Sequence, residues 1–222
     1  MQTVFLEFNE RLKAYFGLSR MSHSVLDIAH PSVGALVALG GFPPLAPLLI
    51  GLIAAFAGFT AVFAINDLID WRVDTERMQK YRRESSQFDL DSLGYRHPIA
   101  QEKLRFGKAL AWVFFWGLLS LSLAFVLRPL CCLMLLMAVG LEIAYCKLLR
   151  KTHWKAWLSG AMVGVGALAG IYAYKESPSM AYLVSFFVWT FAWEVGGRNI
   201  PNDWTDLEED IHLNIRTIPV RY

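Results

Sequence analysis

Two stretches of the sequence carry the same acidic and amide side chains at the same spacing. Each reads Asn-Asp-x-x-Asp-x-x-x-Asp, and 136 residues separate the two copies at every position, as from 66 to 202. On a helix that turns about 100° per residue, the four side chains of one copy fall within an arc about 100° wide. We therefore predict two acidic stripes, one formed by Asn66, Asp67, Asp70 and Asp74 and the other by Asn202, Asp203, Asp206 and Asp210.

An acidic stripe of this kind is unfavourable alone, because like charges three and four residues apart on a helix repel each other. Oxygen ligands without His or Cys suit a hard cation, Mg²⁺ before Ca²⁺. Mg²⁺ is commonly shared between carboxylates and a substrate phosphate. We predict that all eight residues are metal ligands, that the six aspartates are catalytic, and that the two stripes hold a diphosphate between them. The alternative is two solvated helix ends, which the helix dipole disfavours when each run ends a helix.

The elements that must position these stripes are apolar. The mean hydropathy is +0.38, and 55% of the residues are hydrophobic while 18% are charged. This composition is too apolar for an ordinary soluble domain. Since about 20 apolar helical residues cross a hydrocarbon core about 30 Å thick, we predict an all-α transmembrane bundle in one domain, 1–222. Its six spans would be 22–41, 44–65, 106–127, 129–149, 154–174 and 179–201.

The distribution of basic residues predicts how the bundle lies in the membrane. The two terminal regions and the loops after the second and fourth spans contain 19 of the 21 Lys and Arg residues. By the positive-inside rule, both termini and both acidic motifs lie on the cytoplasmic side. Residues 67–103 then form a cytoplasmic connector, which we expect to act as a lid over the first motif. In the fifth span, small residues predict close helix packing; these are Gly160, Gly164, Gly166 and Gly170.

The paired acidic motif resembles that of the UbiA superfamily of intramembrane prenyltransferases. Three other segments agree with the family: YRHPIAQEKL (95–104), YCKLLRKTHW (145–154) and IRTIPVRY (215–222). The first keeps Arg96 and Pro98 of the family's R-x-R-P-L-P-x-G-x-I segment, but it lacks the glycine and the second arginine. The resemblance extends over the chain from about residue 18. Because the family typically has about nine spans, it also implies a chain that is incomplete at its C-terminus.

The resemblance implies an Mg²⁺-dependent transferase that moves a prenyl group from a prenyl diphosphate to a lipophilic acceptor within the bilayer, as in quinone biosynthesis. The loop after the fourth span is similar to that of hydroxybenzoate enzymes, which favours an aromatic, 4-hydroxybenzoate-like acceptor. A non-aromatic acceptor and a haem- or chlorophyll-type ring remain alternatives. No nucleic-acid partner is expected, and the oligomeric state stays open.

Basic and polar residues near the motifs supply the remaining site predictions. For the diphosphate we predict Lys147, Arg150, Lys151, Arg77 and Arg96, although basic residues in the 4–5 loop would also serve as membrane anchors. For the acceptor we predict Arg20, Asn199 and Glu194. A charged residue within a span is a functional candidate, but an ion pair with Arg198, four residues later, explains Glu194 equally well.

Other classes of membrane protein fit the sequence less well. A cation transporter with acidic clusters at its mouth should carry ionisable groups deep in several spans, where we identify only Asp27, His30 and Glu194. A phosphatidyltransferase needs a D-G-x-x-A-R element, which the sequence lacks. Soluble isoprenyl synthases also use paired acidic motifs, but six membrane spans argue against that class.

Overall fold

A computed structural model of the chain describes residues 2–80 and 94–222, with side chains from residue 8 onward. These residues contain helices and no strand, so the predicted all-α architecture is confirmed. In chain order the helices are α1 (Gln2–Leu18), α2 (Met21–Asp27), α3 (Ala29–Leu39), α4 (Leu45–Lys80), α5 (Phe106–Leu127), α6 (Pro129–Leu148), α7 (Lys155–Tyr174), α8 (Met180–Ala192), a π-helical segment (Trp193–Asn199), α9 (Ile200–Thr205), α10 (Leu207–His212) and α11 (Ile218–Arg221).

Among the described residues, four helices are long and apolar enough to cross a membrane, namely α4, α5, α6 and α7. Helix α4 has 36 residues, many more than the roughly 20 that a membrane core requires. Its last part therefore extends beyond its apolar run and carries the first acidic motif. The other two predicted spans are each divided, the first between α2 and α3 and the sixth among α8, the π-helical segment and α9.

Prolines account for both divisions. Pro31 has no amide hydrogen to donate to the Asp27 carbonyl, so the regular helix is interrupted in the preceding turn, at Ile28 between α2 and α3. The ring nitrogen Nδ1 of His30 lies 3.3 Å from that carbonyl oxygen and takes the place of the missing donor. Pro201 likewise removes a backbone donor at the start of α9, and the segment immediately before it winds as a π-helix.

Helix α7 packs against α3, α6 and α8, whereas α4 packs against α5 and α6. A Cβ atom at Gly170 would collide with the backbone of Pro31, so α3 and α7 are in direct contact there. Gly160 and Gly164 are covered by side chains of α8 and the π-helical segment. The predicted close packing is thus confirmed at these three glycines, while Gly166 faces open space and lines the cavity described below.

The end of the bundle that carries the motifs is tied together by backbone contacts. The backbone N–H of Arg216 donates to the Leu149 carbonyl at 3.1 Å, which joins the C-terminal segment to the α6–α7 loop. The backbone N–H of Tyr95 donates to the Lys13 carbonyl at 3.2 Å, so residues 94–105 pack on α1. Each contact joins a segment near one motif to an element that is distant in the sequence.

We expect Gly170→Val to destabilise the bundle, because its side chain would force α3 and α7 apart. Overpacking of this kind costs about 1–3 kcal/mol, which should lower the midpoint of thermal unfolding in detergent micelles. Gly166→Ala is the matched control on the same helix, since a Cβ there meets no atom within 4 Å. Equal melting temperatures for the two variants would contradict the packing assignment.

Candidate active site

A cavity of about 1080 Å³ opens at the end of the bundle where both acidic motifs lie. Helix α4 supplies the first motif to its wall, and α9, α10 and the residue between them supply the second. All eight predicted metal ligands line this cavity: Asn66, Asp67, Asp70, Asp74, Asn202, Asp203, Asp206 and Asp210. Two motifs that are far apart in the sequence therefore share one chamber.

The first motif has the helical geometry that its spacing predicts. Asp67, Asp70 and Asp74 lie in the regular part of α4, and all three are buried. Asn66 is half-buried one residue before them. Four aligned polar side chains within an otherwise apolar wall form an acidic stripe, as expected.

The second motif departs from the prediction of one continuous helical stripe. Helix α9 ends at Thr205, and Asp206 has φ −104° and ψ 12° before α10 begins. The hydroxyl of Thr205 donates to the Asn202 carbonyl at 2.7 Å, and side-chain bonds of this kind compete with the helical backbone pattern. The resulting break leaves Asn202 exposed and Asp210 buried. The prediction of a continuous second stripe is therefore wrong.

Arg77 connects the two motifs. Its Nε lies 2.5 Å from Oε1 of Glu209, its Nη2 lies 3.5 Å from Oδ1 of Asp210, and its Nη1 lies 3.8 Å from Oδ1 of Asp74. The Arg77 side chain is only 13% exposed. A single guanidinium thus holds the end of α4 against α10.

Two further cations reach the second motif. Arg96 Nη2 lies 3.7 Å from Asp206 Oδ2, and Lys155 Nζ lies 3.8 Å from Asp203 Oδ1. Lys155 is 2% exposed and its Nζ donates to the Tyr145 hydroxyl at 3.2 Å. Arg96 is one of the predicted diphosphate ligands, whereas the sequence analysis predicts no role for Lys155 in the site.

His97 occupies the centre of the first motif, which sequence reasoning missed. Its Nδ1 lies 3.0 Å from Asp67 Oδ1 and 3.0 Å from Asp74 Oδ2, and the residue is buried. One ligand atom from each of these three residues lies within 4.8 Å of the others, as metal ligands do. The available signal was its position beside Pro98, in the segment where the family's second arginine is lost.

The neighbours of His97 favour its charged form. Burial alone would lower the pKa of the imidazole, but the adjacent carboxylates of Asp74 and Asp67 stabilise the protonated ring. The net result is a pKa above the ordinary histidine value. The two aspartates and His97 therefore stabilise one another.

Burial disfavours the charged forms of two aspartates in the second motif. It raises the pKa of Asp210 to about 6, with Arg77 opposing the shift and Asp203 adding to it. Burial also raises the pKa of Asp203, where Lys155 opposes the shift and Asp206 adds to it. A further cation at this wall of the cavity would favour the charged forms of both carboxylates.

A second polar network lies deeper in the same cavity. Arg198 donates to both carboxylate oxygens of Asp27, at 2.6 and 3.1 Å, and to Glu194 at 3.4 Å. The Ser159 hydroxyl donates to the other Glu194 oxygen at 2.7 Å. The ion pair between Glu194 and Arg198 is thus present. The three predicted acceptor-binding residues, Arg20, Asn199 and Glu194, all line this cavity.

Glu142 is a buried carboxylate within a span, and it is absent from the ionisable residues that we identified in the spans from the sequence. It lies on α6, lines the cavity, and accepts a hydrogen bond of 2.8 Å from Asn66 Nδ2. The identification of Asp27, His30 and Glu194 as the only such groups was therefore wrong. The signal was plain in the sequence, since Glu142 interrupts the apolar span 129–149.

The predicted diphosphate ligands fall into two groups. Arg77 and Arg96 line the cavity, whereas Lys147, Arg150 and Lys151 do not and are exposed. Arg150 is instead paired with Glu76 at 2.5 Å outside the chamber. The positions of these three residues therefore lend no support to a role in binding diphosphate.

The predicted connector, 67–103, contains three parts. Residues 67–80 belong to α4, residues 81–93 lie outside the described part of the chain, and residues from 94 onward contribute Arg96 and His97 to the cavity wall. Both described parts therefore contribute to the site, since residues 67–80 carry Asp67, Asp70, Asp74 and Arg77.

Comparison with known proteins agrees with the cavity and its motifs. The model of the UbiA prenyltransferase family matches residues 31–222. The chain is 26% identical over 219 residues to 4-hydroxybenzoate octaprenyltransferase of Hydrogenovibrio crunogenus, which covers 96% of this chain and 70% of that protein. It is also 26% identical over 193 residues to protoheme IX farnesyltransferase of Shewanella denitrificans, covering 83% of this chain and 59% of that protein.

Solved structures share the fold. Digeranylgeranylglyceryl phosphate synthase superimposes with a TM-score of 0.72 at 20% identity, covering 96% of this chain and 70% of that one. A UbiA homologue from Archaeoglobus fulgidus, bound to DMAPP and Mg²⁺, gives a TM-score of 0.68 at 19% identity and covers 93% of this chain and 68% of that one.

We expect Arg77→Gln to weaken the contact between α4 and α10, because Asp74, Glu209 and Asp210 would lose their shared counter-ion. Removing one member of a buried ion pair costs about 3–5 kcal/mol, so the melting temperature should fall. Arg72→Gln is the control, since Arg72 is exposed on the same helix and should change stability little. If both variants melt at the same temperature, Arg77 does not hold the motifs together.

Proposed function

The chain belongs to the UbiA prenyltransferase family, and on that premise we propose that it transfers a prenyl group from a prenyl diphosphate to a lipophilic, aromatic acceptor within the membrane. It is an enzyme of that family and a multi-pass integral membrane protein. One observation supports the proposal above the others, namely that both acidic motifs line a single cavity.

We assign Mg²⁺ as the cofactor because the residues of the cavity fit it. The two motifs offer six carboxylates and two carboxamides, which are the oxygen ligands that Mg²⁺ prefers. Burial raises the pKa values of Asp203 and Asp210, and a cation bound beside them would favour their charged forms. Bound Mg²⁺ would neutralise charge on the diphosphate as it leaves. Its ligands would be Asn66, Asp67, Asp70, Asp74, Asn202, Asp203, Asp206 and Asp210.

His97 and the cations of the wall would assist the aspartates. The imidazole of His97, whose Nδ1 lies 3.0 Å from both Asp67 and Asp74, would keep the two carboxylates aligned. Arg96 and Lys155, each within 4 Å of an aspartate of the second motif, would stabilise the negative charge that develops on the leaving diphosphate. Arg77 would hold the two motifs at the separation that the substrate requires.

The rest of the cavity would receive the prenyl chain and the acceptor. Apolar residues of the spans line it, including Phe59, Phe63, Leu135 and Met162. An allylic cation reacts readily with water, and an apolar wall excludes water from it. Arg20, Asn199 and Glu194 lie on the same wall and would contact the polar part of the acceptor.

A 4-hydroxybenzoate-like acceptor is the first candidate. It is supported by the hydroxybenzoate relative, which covers 96% of this chain. A haem-type ring is the second candidate, because the protoheme relative is equally identical over a shorter part of the chain. We place both motifs on the cytoplasmic side, where 19 of the 21 Lys and Arg residues are expected by the positive-inside rule.

The acceptor can be identified by mass spectrometry of products formed from a labelled prenyl diphosphate. Membranes containing the protein would be incubated with 4-hydroxybenzoate or with protohaem. We expect a prenylated hydroxybenzoate. A prenylated porphyrin would transfer the assignment to the second candidate, and a product from neither would contradict both.

We expect Asp70→Asn and Asp206→Asn each to reduce diphosphate release from a prenyl donor by at least about 100-fold, because each removes a charged metal ligand. The measurement uses purified protein in micelles with Mg²⁺. Glu208→Gln is the matched control, since Glu208 is exposed and lies two residues from Asp206. Full activity in either aspartate variant would contradict the assignment of the motifs.

Mg²⁺ together with inorganic diphosphate should raise the melting temperature of the protein. A ligand at 100 times its dissociation constant stabilises the folded state by about 2.7 kcal/mol. The shift should be absent in Asp67→Asn, whereas Glu208→Gln should retain it. A shift of equal size in both variants would indicate binding elsewhere.

A further inference from the structure

The carboxamide of Asn66 is anchored to α6. Its Nδ2 donates to Glu142 Oε1 at 2.8 Å, and the same nitrogen lies 3.4 Å from Cys146 Sγ. Glu142 and Cys146 are both buried, one helical turn apart, and the Cys146 thiol donates to Glu142 at 3.6 Å. The contact therefore joins the first residue of the acidic stripe to a neighbouring span.

This contact selects one of the two orientations of the amide. A carboxamide carries donor hydrogens on one arm and an acceptor oxygen on the other, and in this contact the donor arm faces Oε1 of Glu142. With the Asn66 nitrogen turned toward Glu142, the oxygen is the arm that remains for the cavity, which both residues line. The opposite orientation would place two oxygens against each other at α6.

We infer that Glu142 is a positioning residue, which holds the Asn66 carboxamide with Oδ1 toward the bound cation. The inference rests on the proposed function, because it requires a metal in the cavity. An amide free to turn would present its donor hydrogens to Mg²⁺ in part of the population, and these repel a cation. Groups that orient metal ligands in this way commonly change metal affinity 10–100-fold when they are removed.

The position of Glu142 supports this role. A carboxylate within a membrane span is costly, so it usually has a functional reason. Glu142 lies on an otherwise apolar stretch of α6, and its hydrogen-bonded partner directly precedes Asp67. The second copy of the motif differs, because Asn202 is exposed within α9.

The first test replaces Glu142 by leucine and measures Mn²⁺ as a spectroscopic substitute for Mg²⁺. We expect the affinity for Mn²⁺, measured by electron paramagnetic resonance in the presence of inorganic diphosphate, to fall about 10-fold or more. Glu142→Gln is the conservative control, since its carbonyl oxygen can still accept from Asn66, and it should stay within a few-fold of the wild type. Wild-type affinity in a folded Glu142→Leu variant would overturn the inference.

The second test predicts stronger rather than weaker Mn²⁺ binding. In Asn66→Asp the two terminal oxygens are equivalent, so there is no orientation left to select, and Glu142 becomes a repulsive neighbour. Changing Glu142 to Gln in this background should therefore strengthen Mn²⁺ binding. A merely structural role for Glu142 would give no gain in this background.

The paired design also separates failure of the inference from failure of the proposed function. If Glu142→Leu does not fold, the comparison of Asn66→Asp with the Asn66→Asp/Glu142→Gln double variant decides, since both changes preserve side-chain size. Equal or weaker binding by the double variant would overturn the role of Glu142 alone. Wild-type protein that binds no Mn²⁺ with diphosphate would overturn the metal site itself, and the inference with it.

Discussion

The main constraint on this structure is the mutual repulsion of carboxylates that lie close together at one end of an apolar bundle. Asp67, Asp70 and Asp74 are buried on one helix, and Asp210 is buried opposite them. Burying such groups is unfavourable unless opposite charges accompany them. Arg77 and His97 supply those charges by direct contact with the acids. The folded chain therefore already contains a partly neutralised cluster of carboxylates. The negative charge that remains would favour the binding of a divalent cation together with its phosphate ligand.

The two copies of the motif solve the same electrostatic problem in different ways. The first copy continues a straight helix of 36 residues, so its aspartates stay in register with the span below them. The second follows a π-helical segment and breaks at Asp206, and in it Asp210 is buried while Asn202 is exposed. A regular helical wall thus faces an irregular one. Arg77 spans the gap between them, and Asn66 is additionally anchored to α6 through Glu142.

Much of the site could be predicted because the motif repeats with one spacing. The eight motif residues, Arg77, Arg96 and the three acceptor candidates all line one cavity. The basic residues of the α6–α7 loop are different, since Arg150 is paired with Glu76 outside the chamber. The position of those residues in a segment that resembles the family did not indicate the direction in which their side chains point. His97 was passed over because its partners lie 30 and 23 residues earlier on another element, and spacing cannot reveal such a contact.

The sequence was sufficient to predict the helical architecture, the membrane location and the first acidic stripe, because hydropathy and a helical period are properties of short stretches of chain. The close approach of α7 to its neighbours also followed from its glycines. The meeting of the motifs, the insertion of His97 between two aspartates and the contact of Glu142 with Asn66 required the folded chain. Each of these contacts depends on which helices are neighbours and on how each helix is rotated about its axis. That arrangement is determined by the packing of all the helices together, and the sequence of a single helix does not specify it.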